Sequence, residues 1–387
     1  MIKLIKTSTV PESLNILLKG QLKYLSEYFN IVAVSGKNIH LEEVEDREGV
    51  AIFPIEMQRK ISPLQDLISL MKLYKYLKKE KPTLIHSITP KAGLLSMLAG
   101  KMAGVPIRIH TFTGLIFPTR TGFMQKLLIK MDQLLCWAAT NIYPEGKGVA
   151  SDLKKYNITD KPLNVIANGN VNGIDLDHFN PDHIDNSSLT KIKEELGIKQ
   201  SDFVFIFVGR IVGDKGINEL IKAFVALNGE NVKLLLVGTF EEELDPLQKD
   251  TYDEIQKNQN IITVGFKKDV RPYFLISDAL VFPSYREGFP NVVMQAGAME
   301  LPSVVSNING CNEIIIQNEN GLIVPSKNVE KLEEAMKLMI SNKENYLKMK
   351  SNARKMIENR YDQNIVWKAL LDEYQKLLTD KKININV

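Results

Sequence analysis

Short apolar runs alternate with helical segments along the first half of the chain. Most of the segments between the runs repeat apolar residues at helical spacing. Alternation of this kind is typical of a parallel, doubly wound sheet with helices on both faces. We therefore predict an α/β fold. The runs predicted as strands are Ile2–Lys6, Ile31–Ser35, Val50–Pro54, Thr83–Ser87, Ile107–Thr111, Asn141–Tyr143 and Leu163–Ile166.

A second series of apolar runs lies in the other half of the chain. Its predicted strands are Phe203–Val208, Val232–Val237, Ile261–Phe266 and Ala279–Phe282. Between the two series, the stretch from Asn168 to Pro181 (NGNVNGIDLDHFNP) is dominated by turn residues, as expected of a linker. A chain of 387 residues is long enough for two domains that each have a core. We therefore predict domains at 1–180 and 181–362.

The segment from Ala279 to Val305 combines an apolar strand, a loop and a helix. Glu287 falls in the loop that leaves the C-terminal end of the strand, where open α/β sheets bind their ligands. Pro290 and Asn291 are predicted to start a helix, and Gln295 lies on its first turns. The free N–H groups at a helix start favour phosphate. A carboxylate and an amide can therefore face one phosphorylated ligand together.

This segment also resembles a known family. From Pro283 to Ile315 the sequence PSYREGFPNVVMQAGAMELPSVVSNINGCNEII is similar to the signature of the retaining GT-B-fold glycosyltransferases of family 4. Glu287 matches the family's first glutamate, which contacts the transferred sugar. Gln295 stands where the family has a second glutamate that accepts hydrogen bonds from ribose, and glutamine keeps one acceptor oxygen. The resemblance implies two Rossmann-like domains facing across a cleft, with the last helix, 363–380, crossing back to the first domain.

The loop GRIVGDKG after the strand Phe203–Val208 matches the family's diphosphate-binding motif at Gly209, Arg210 and Lys215. Negative charge builds on the leaving diphosphate when the sugar–phosphate bond breaks, and two fixed cations stabilise it. The resemblance implies that the donor diphosphate and sugar are bound by Gly209, Arg210, Lys215, Glu287, Gly288, Phe289, Pro290 and Asn291. It implies a nucleoside site at Phe266, Lys267 and Gln295.

The stretch from His86 to Gly114 resembles the acceptor-domain core of family members that act on polysaccharides and lipid-linked oligosaccharides. His86 and His110 stand at or near the C-terminal ends of predicted strands, and we expect them to face the expected cleft. The resemblance implies that His110, like Arg210, Lys215 and Glu287, is a catalytic residue. Some relatives carry this histidine where Thr113 stands here. Lys91 opens the next helix. It is either a contact for an acceptor diphosphate or an ordinary exposed lysine. The acceptor-side candidates are His86, Lys91 and Thr113.

Two helices of the first half are basic and amphipathic. Ser62 to Lys81 has a candidate N-cap at Ser62, an apolar stripe at helical spacing and five lysines in its second half. Thr119 to Ala139 has the same character. Each helix either packs its apolar stripe on the core or also meets an anionic membrane surface. The pair, together with the family resemblance, leads us to expect peripheral contact with a membrane.

Composition and short motifs set further limits. The formal net charge of +3 gives no reason to expect nucleic-acid binding. Cys136 and Cys311 indicate reduced thiols of a cytoplasmic protein. We expect no secretory signal in MIKLIKTSTV, and no apolar run is long enough to span a bilayer. Asp175 and Asp177 spell an acidic pair that binds a metal in other glycosyltransferase folds. They lie in the linker and the family works without a metal, so we expect no metal and no cofactor.

These features together predict a glycosyltransferase at the inner face of the cell membrane. It would move a sugar from a nucleotide-diphosphate donor to a polyprenyl-diphosphate-linked saccharide in bacterial surface glycan assembly. The expected donor is a UDP-sugar. A nucleotide-sugar epimerase or hydrolase of the same fold is one alternative, and the basic amphipathic helices argue against it. A catalytically degenerate binding partner is the other. Gln295 is its support, and the presence of Arg210, Lys215 and Glu287 argues against it.

Overall fold

The computed structural model describes residues 1–58, 61–241 and 245–383. The chain divides into two compact units. Unit 1 is Met1–Gly173 together with Gln363–Val387, and unit 2 is Ile174–Asp362. The division falls within the turn-rich linker, seven residues before the boundary at 180, and the last helix belongs to unit 1.

Unit 1 contains a parallel sheet in the order β3-β2-β1-β4-β5-β6. Its strands are β1 (Lys3–Thr7), β2 (Asn30–Ser35), β3 (Ala51–Pro54), β4 (Leu84–Ser87), β5 (Ile107–Phe112) and β6 (Asn141–Pro144). The order reverses between β1 and β4, as in a doubly wound fold. The predicted strand Leu163–Ile166 is wrong, because this segment forms an isolated bridge between Leu163 and Ile142 and is only partly buried.

Helices cover both faces of this sheet. They are α1 (Pro11–Leu17), α2 (Gln21–Ser26), α3 (Ile39–Glu48), α4 (Pro63–Glu80), α5 (Pro90–Ala103), α6 (Gly122–Ala138) and α7 (Lys147–Lys155), and the C-terminal helix Gln363–Asp380 packs on the same unit. One core includes residues of α4, α5 and α6, such as Leu77 and Leu135. The other includes residues of α1, α2, α3 and the C-terminal helix, such as Leu22 and Leu370. Burial of these apolar side chains in two layers stabilises the sheet between them.

Unit 2 repeats this architecture with the order β12-β11-β10-β7-β8-β9, also parallel. Its strands are β7 (Phe203–Val208), β8 (Val232–Val237), β9 (Ile261–Gly265), β10 (Ala279–Phe282), β11 (Ser303–Ser306) and β12 (Gly321–Val324). Its helices are α8 (Asn186–Glu195), α9 (Ile217–Leu227), α10 (Lys249–Lys257), α11 (Arg271–Leu275), α12 (Asn291–Ala298), α13 (Cys311–Ile314), α14 (Val329–Ser341) and α15 (Lys343–Tyr361), and Gln363–Asp380 is α16. The predicted α/β fold with two doubly wound parallel sheets is confirmed.

The first half of α4 does not pack its apolar stripe on the core. Leu64 is 79% exposed and Leu67 is 56% exposed, whereas Leu73 and Leu77 further along are buried. Phe123, near the start of α6, is also 79% exposed. The interpretation of these helices as purely core-facing is therefore wrong for their N-terminal turns. Among the described residues, none of the helices combines the length and apolarity needed to cross a bilayer.

Candidate active site

Two loops of unit 2 meet where the strand order of its sheet reverses. Strand β7 lies between β10 and β8, so the loops that leave the C-terminal ends of β7 and β10 are neighbours. The first is GRIVGDKG and the second contains Glu287. Open α/β sheets bind ligands at such a reversal, because the loops diverge there and leave a crevice beside the strand ends. The two predicted motifs of the second half thus lie at one point of the sheet.

Gly216 fixes how closely these loops approach. It adopts φ +72°, a left-handed conformation that a residue with a Cβ rarely takes. A Cβ at this position would also overlap the carbonyl oxygen of Pro283, in the loop after β10. The backbone N–H of Tyr285 donates to the carbonyl of Asp214 at 2.9 Å and joins the loops further. The residue between Asp214 and Gly216 is Lys215, which is therefore held beside the β10 loop.

Lys215 forms an ion pair with Glu287. The Ser284 hydroxyl donates to the same carboxylate oxygen, Oε1, at 2.9 Å. The side chains of Lys215 and Glu287 are only 16% and 18% exposed, so water screens the pair less than it would at the surface. The structure therefore brings together a cation and a carboxylate that the sequence had separated by 72 residues.

Arg210 is placed differently. Its Nη1 donates to Glu241 Oε2 at 2.7 Å, and its side chain is 48% exposed. Gly209, at φ +153°, lets the chain turn directly after β7. Both predicted diphosphate-binding cations thus follow β7, and each has a carboxylate of another loop as its partner.

The start of α12 completes this part of unit 2. Pro290 is the N-cap residue and makes no side-chain capping bond, and the Val293 N–H donates to the Pro290 carbonyl at 3.2 Å. Phe289 is 6% exposed and packs edge-on against Tyr361 with ring centroids 5.4 Å apart, which leaves only its backbone for donor binding. Gly288 adjoins it in the loop. Gln295 is half-buried on α12.

The proposed nucleoside residues follow β9. Phe266 is 74% exposed, an unusual state for an aromatic ring in this chain, and Lys267 lies over the Tyr273 ring at 5.5 Å. An exposed aromatic face can stack on a base. Strand β9 is the edge strand of the sheet, separated from β10 by β8 and β7. Nothing in the described contacts joins Phe266 or Lys267 to Glu287.

Residues that sequence reasoning missed support the lysine and the glutamate. The Asp245 carboxylate accepts a hydrogen bond from the backbone N–H of Asp214 at 2.5 Å. The Asp245 backbone carbonyl accepts one from the backbone N–H of Gly213 at 3.2 Å. Cys311 at the start of α13 is buried, and burial together with the nearby Glu287 raises the pKa of its thiol well above the usual value. Asp245 holds the Lys215 turn in shape. Its distance from the motif in sequence left no signal for this role.

In unit 1, His86 and His110 point to opposite faces of the sheet. Register pairs Ser87, not His86, with His110, and successive side chains of a strand alternate between the faces. The ring of His86 contacts Tyr374 of α16 at 2.5 Å and Lys6 at 3.1 Å. His110 instead packs against Gly93 of α5. The two histidines therefore do not converge on one ligand.

Both histidines are fully or almost fully buried, which differs from the expectation that they face an opening. The Ser87 hydroxyl lies 2.8 Å from His110 Nδ1, and burial lowers the pKa of His110 to about 3, so the ring is neutral at physiological pH. Within the described part of the chain, His110 Nε2 has no hydrogen-bond partner. His110 is buried because the strand turns its side chain under α5, where Gly93 leaves room for the ring.

Lys91 and Thr113 lie near the ends of β4 and β5. Lys91 Nζ is 2.7 Å from Asp66 Oδ1, and its side chain is only 8% exposed. The interpretation of Lys91 as an ordinary exposed lysine is therefore wrong. The Thr113 hydroxyl donates to the carbonyl of Ile88 at 2.9 Å and the residue is half-buried in the loop after β5. In the described ranges, no group of three or more His, Cys, Asp or Glu side chains is arranged to hold a metal ion.

Two family models and several related proteins match this chain. The family "Glycosyl transferases group 1" matches residues 189–356, and "Glycosyl transferase 4-like" matches residues 10–145. The capsular polysaccharide biosynthesis glycosyltransferase CapM of Staphylococcus aureus is 31% identical over 386 residues, which cover 98% of each chain. An Escherichia coli UDP-Gal:alpha-D-GlcNAc-diphosphoundecaprenol alpha-1,3-galactosyltransferase is 28% identical and covers 93% of this chain and 91% of its own.

Among solved structures, HepE of Anabaena in complex with UDP superposes with a TM-score of 0.82. The sequence identity is 17%, and the match covers 97% of this chain and 100% of that one. Identity at this level supports the shared fold alone. The fold of both units is thus found in a protein that was crystallised with a nucleoside diphosphate.

Proposed function

The chain belongs to family 4 of the GT-B-fold glycosyltransferases, and we propose that it transfers a sugar from a UDP-sugar to a polyprenyl-diphosphate-linked saccharide in bacterial surface polysaccharide assembly. The observation that carries this proposal is the pairing of Lys215 with Glu287 at the strand-order reversal of unit 2. The Escherichia coli relative, which by its name uses UDP-Gal and a diphosphoundecaprenol acceptor, supports the choice of donor and acceptor. The Staphylococcus aureus relative supports the polysaccharide context.

On the donor side, Lys215 takes the diphosphate and Arg210 supplies the second cation. Arg210 is half exposed, so its side chain can leave Glu241 and turn toward phosphate at little cost, since exposed ion pairs contribute only about 0–1 kcal/mol. Backbone N–H groups at the start of α12 add a partial positive charge. Glu287 accepts hydrogen bonds from sugar hydroxyls, and Phe266, Lys267 and Gln295 contact the nucleoside.

The reaction retains the anomeric configuration. The acceptor hydroxyl attacks on the face that the diphosphate leaves, and a leaving phosphate oxygen accepts the hydroxyl proton. This route needs neither a side-chain nucleophile nor a metal, because the cations Lys215 and Arg210 stabilise the developing charge. His110, neutral and buried, supports the wall of the acceptor unit, and the loop with Thr113 provides groups near the acceptor.

The acceptor is a lipid, and unit 1 has a surface suited to a membrane. Leu64, Leu67, Ile68 and Met71 are exposed on α4, and exposed lysines such as Lys72 accompany them. Exposed apolar side chains with neighbouring cations fit the boundary between acyl chains and anionic headgroups. We propose that α4 and the start of α6 bring unit 1 to the cytoplasmic face of the membrane, where the lipid-linked saccharide resides.

The test is a two-stage assay with purified protein. First, UDP- and GDP-sugars are screened for an increase in melting temperature, because a ligand that binds only the folded state stabilises it. Sugars that stabilise the protein are then offered with polyprenyl-diphosphate-linked saccharides in vesicles, and the product is identified by mass spectrometry and by the anomeric NMR coupling. An axial product from an axial donor is expected. An inverted product, or conversion of the donor without any acceptor, would contradict the proposal.

A further inference from the structure

The ion pair of unit 2 places a carboxylate on the cation that the proposed function assigns to the donor diphosphate. Glu287 Oε1 accepts hydrogen bonds from both Lys215 and Ser284. A nucleoside diphosphate that approaches Lys215 therefore also approaches a negative charge. Two like charges a few ångströms apart repel strongly where water is partly excluded.

Glu287 cannot simply swing away from an incoming phosphate. Ser284 is fully buried, and its hydroxyl lies closest to the Glu287 carboxylate, to which it donates at 2.9 Å. The Ser284 hydroxyl is itself 3.2 Å from the carbonyl of Arg286, in the same loop. The backbone turn that carries Lys215 is fixed by Gly216 and Asp245, and its ammonium is paired with Glu287. Both members of the pair stay near the diphosphate position.

We propose that Glu287 discriminates between a sugar nucleotide and the sugar-free nucleotide. This inference rests on the proposed function and deepens it. The carboxylate repels the diphosphate of either ligand. Only a sugar nucleotide compensates this cost, because the sugar hydroxyls donate hydrogen bonds to Glu287, and charge-assisted hydrogen bonds of this kind are strong. UDP alone meets the repulsion without the compensation.

The same arrangement promotes product release. Once the sugar has moved to the acceptor, its hydroxyls no longer satisfy the carboxylate, and Glu287 again competes with UDP for Lys215. The nucleotide is then held less tightly than the donor was. Glu287 thus has a second role besides contact with the sugar. This role can be measured as a change in the affinity for a nucleotide that carries no sugar.

Isothermal titration calorimetry with UDP and GDP as probes tests the inference. Glu287→Gln keeps the size of the side chain and one acceptor oxygen but removes the charge. We expect Glu287→Gln to bind UDP about tenfold more tightly than the wild type, which corresponds to about 1.4 kcal/mol. The matched control is Glu319→Gln, which removes a carboxylate paired with Lys348 elsewhere in unit 2 and is expected to leave binding unchanged.

Two further variants keep the test decisive if Glu287→Gln does not fold, as judged by circular dichroism. Glu287→Ala removes the charge by another route and is expected to give the same direction. Ser284→Ala retains the charge but removes its anchor, so the carboxylate can move away, and about a twofold gain in UDP affinity is expected.

The outcomes separate the two proposals. A folded wild-type protein that binds neither UDP nor GDP would contradict the proposed donor class itself. A wild type that binds UDP, with Glu287→Gln and Glu287→Ala binding it equally or more weakly, would overturn the discrimination role and leave the proposed function standing. Tighter binding of GDP than UDP would contradict the choice of UDP in the proposed function, and Glu287→Gln would then be expected to bind GDP about tenfold more tightly than the wild type.

Discussion

Replacing Lys6 with methionine tests how much a lone buried cation costs this fold. Lys6 lies in β1 and is 1% exposed, and its ammonium is 3.1 Å from His86 Nδ1 and 5.8 Å from the centre of the Tyr374 ring. A charged group without water around it is strongly disfavoured unless a counter-charge compensates it. Burial accordingly lowers the pKa of Lys6 from 10.5 to about 7.

The direction of the pH effect follows from proton binding. Between pH 7 and pH 10.5 the unfolded chain keeps the Lys6 proton while the folded chain gives it up. Stability therefore rises with pH in this window, because the unfolded state binds more protons there. Each pH unit contributes at most about 1.4 kcal/mol. Between pH 7.5 and pH 9.5 the wild type should gain about 2–3 kcal/mol relative to Lys6→Met, in which this proton is absent.

Urea unfolding followed by tryptophan fluorescence measures this gain. The chain has two tryptophans, Trp137 and Trp367, and both belong to unit 1, so the signal reports the unit that contains Lys6. Lys37→Met, at an exposed lysine of the same unit, is the control and should show the wild-type pH dependence. Parallel stability curves for the wild type and Lys6→Met from pH 7.5 to pH 9.5 would refute the reasoning.

Three further predictions concern the site and the surface. Lys215→Ala should lower transfer at least about 100-fold with the melting curve intact, because it removes a cation from the developing charge; near-normal turnover would contradict its assignment. Leu67→Glu should weaken flotation with vesicles of anionic lipid, whereas Leu338→Glu, at an apolar residue 49% exposed on unit 2, should not. Gly216→Ala should destabilise unit 2 by more than Gly197→Ala, because both glycines have positive φ but of the two only Gly216 would clash with a neighbouring loop. The control Gly197→Ala should lower the free energy of unfolding by about 1 kcal/mol. Equal losses in the two variants would contradict the clash.

The sequence did not predict β11 and β12, but it predicted the other strands of both sheets, because strands of a doubly wound fold are buried on both faces. Runs such as Phe203–Val208 and Ala279–Phe282 are apolar throughout, and the structure gives them the same bounds. The segment Leu163–Ile166 failed because it lies beside the edge strand β6 and pairs at a single bridge. An apolar run alone does not distinguish a full strand from such a bridge.

Which residues lie close together was predictable where loops carry them and unpredictable where strands do. Lys215 and Glu287 lie in loops after adjacent strands, so the strand order suffices to bring them together. His86 and His110 lie within strands, and the face that each side chain takes depends on a register that the sequence does not reveal. A shift of one residue between β4 and β5 would place both side chains on the same face. That both histidines lie near the ends of neighbouring strands therefore did not show whether their side chains meet.

Under the proposed function, the charges around the β7 and β10 loops make recognition of the donor selective. Arg210 pairs with Glu241, Lys215 with Glu287, and Arg286 with Asp214. Each of these three cations thus has a carboxylate partner in unit 2, and together they offer no surplus of positive charge. Simple phosphate gains little there, because binding exchanges one ion pair for another. A ligand gains affinity only when it also satisfies the carboxylate that it displaces, and a sugar joined to a diphosphate carries hydroxyls that can do so.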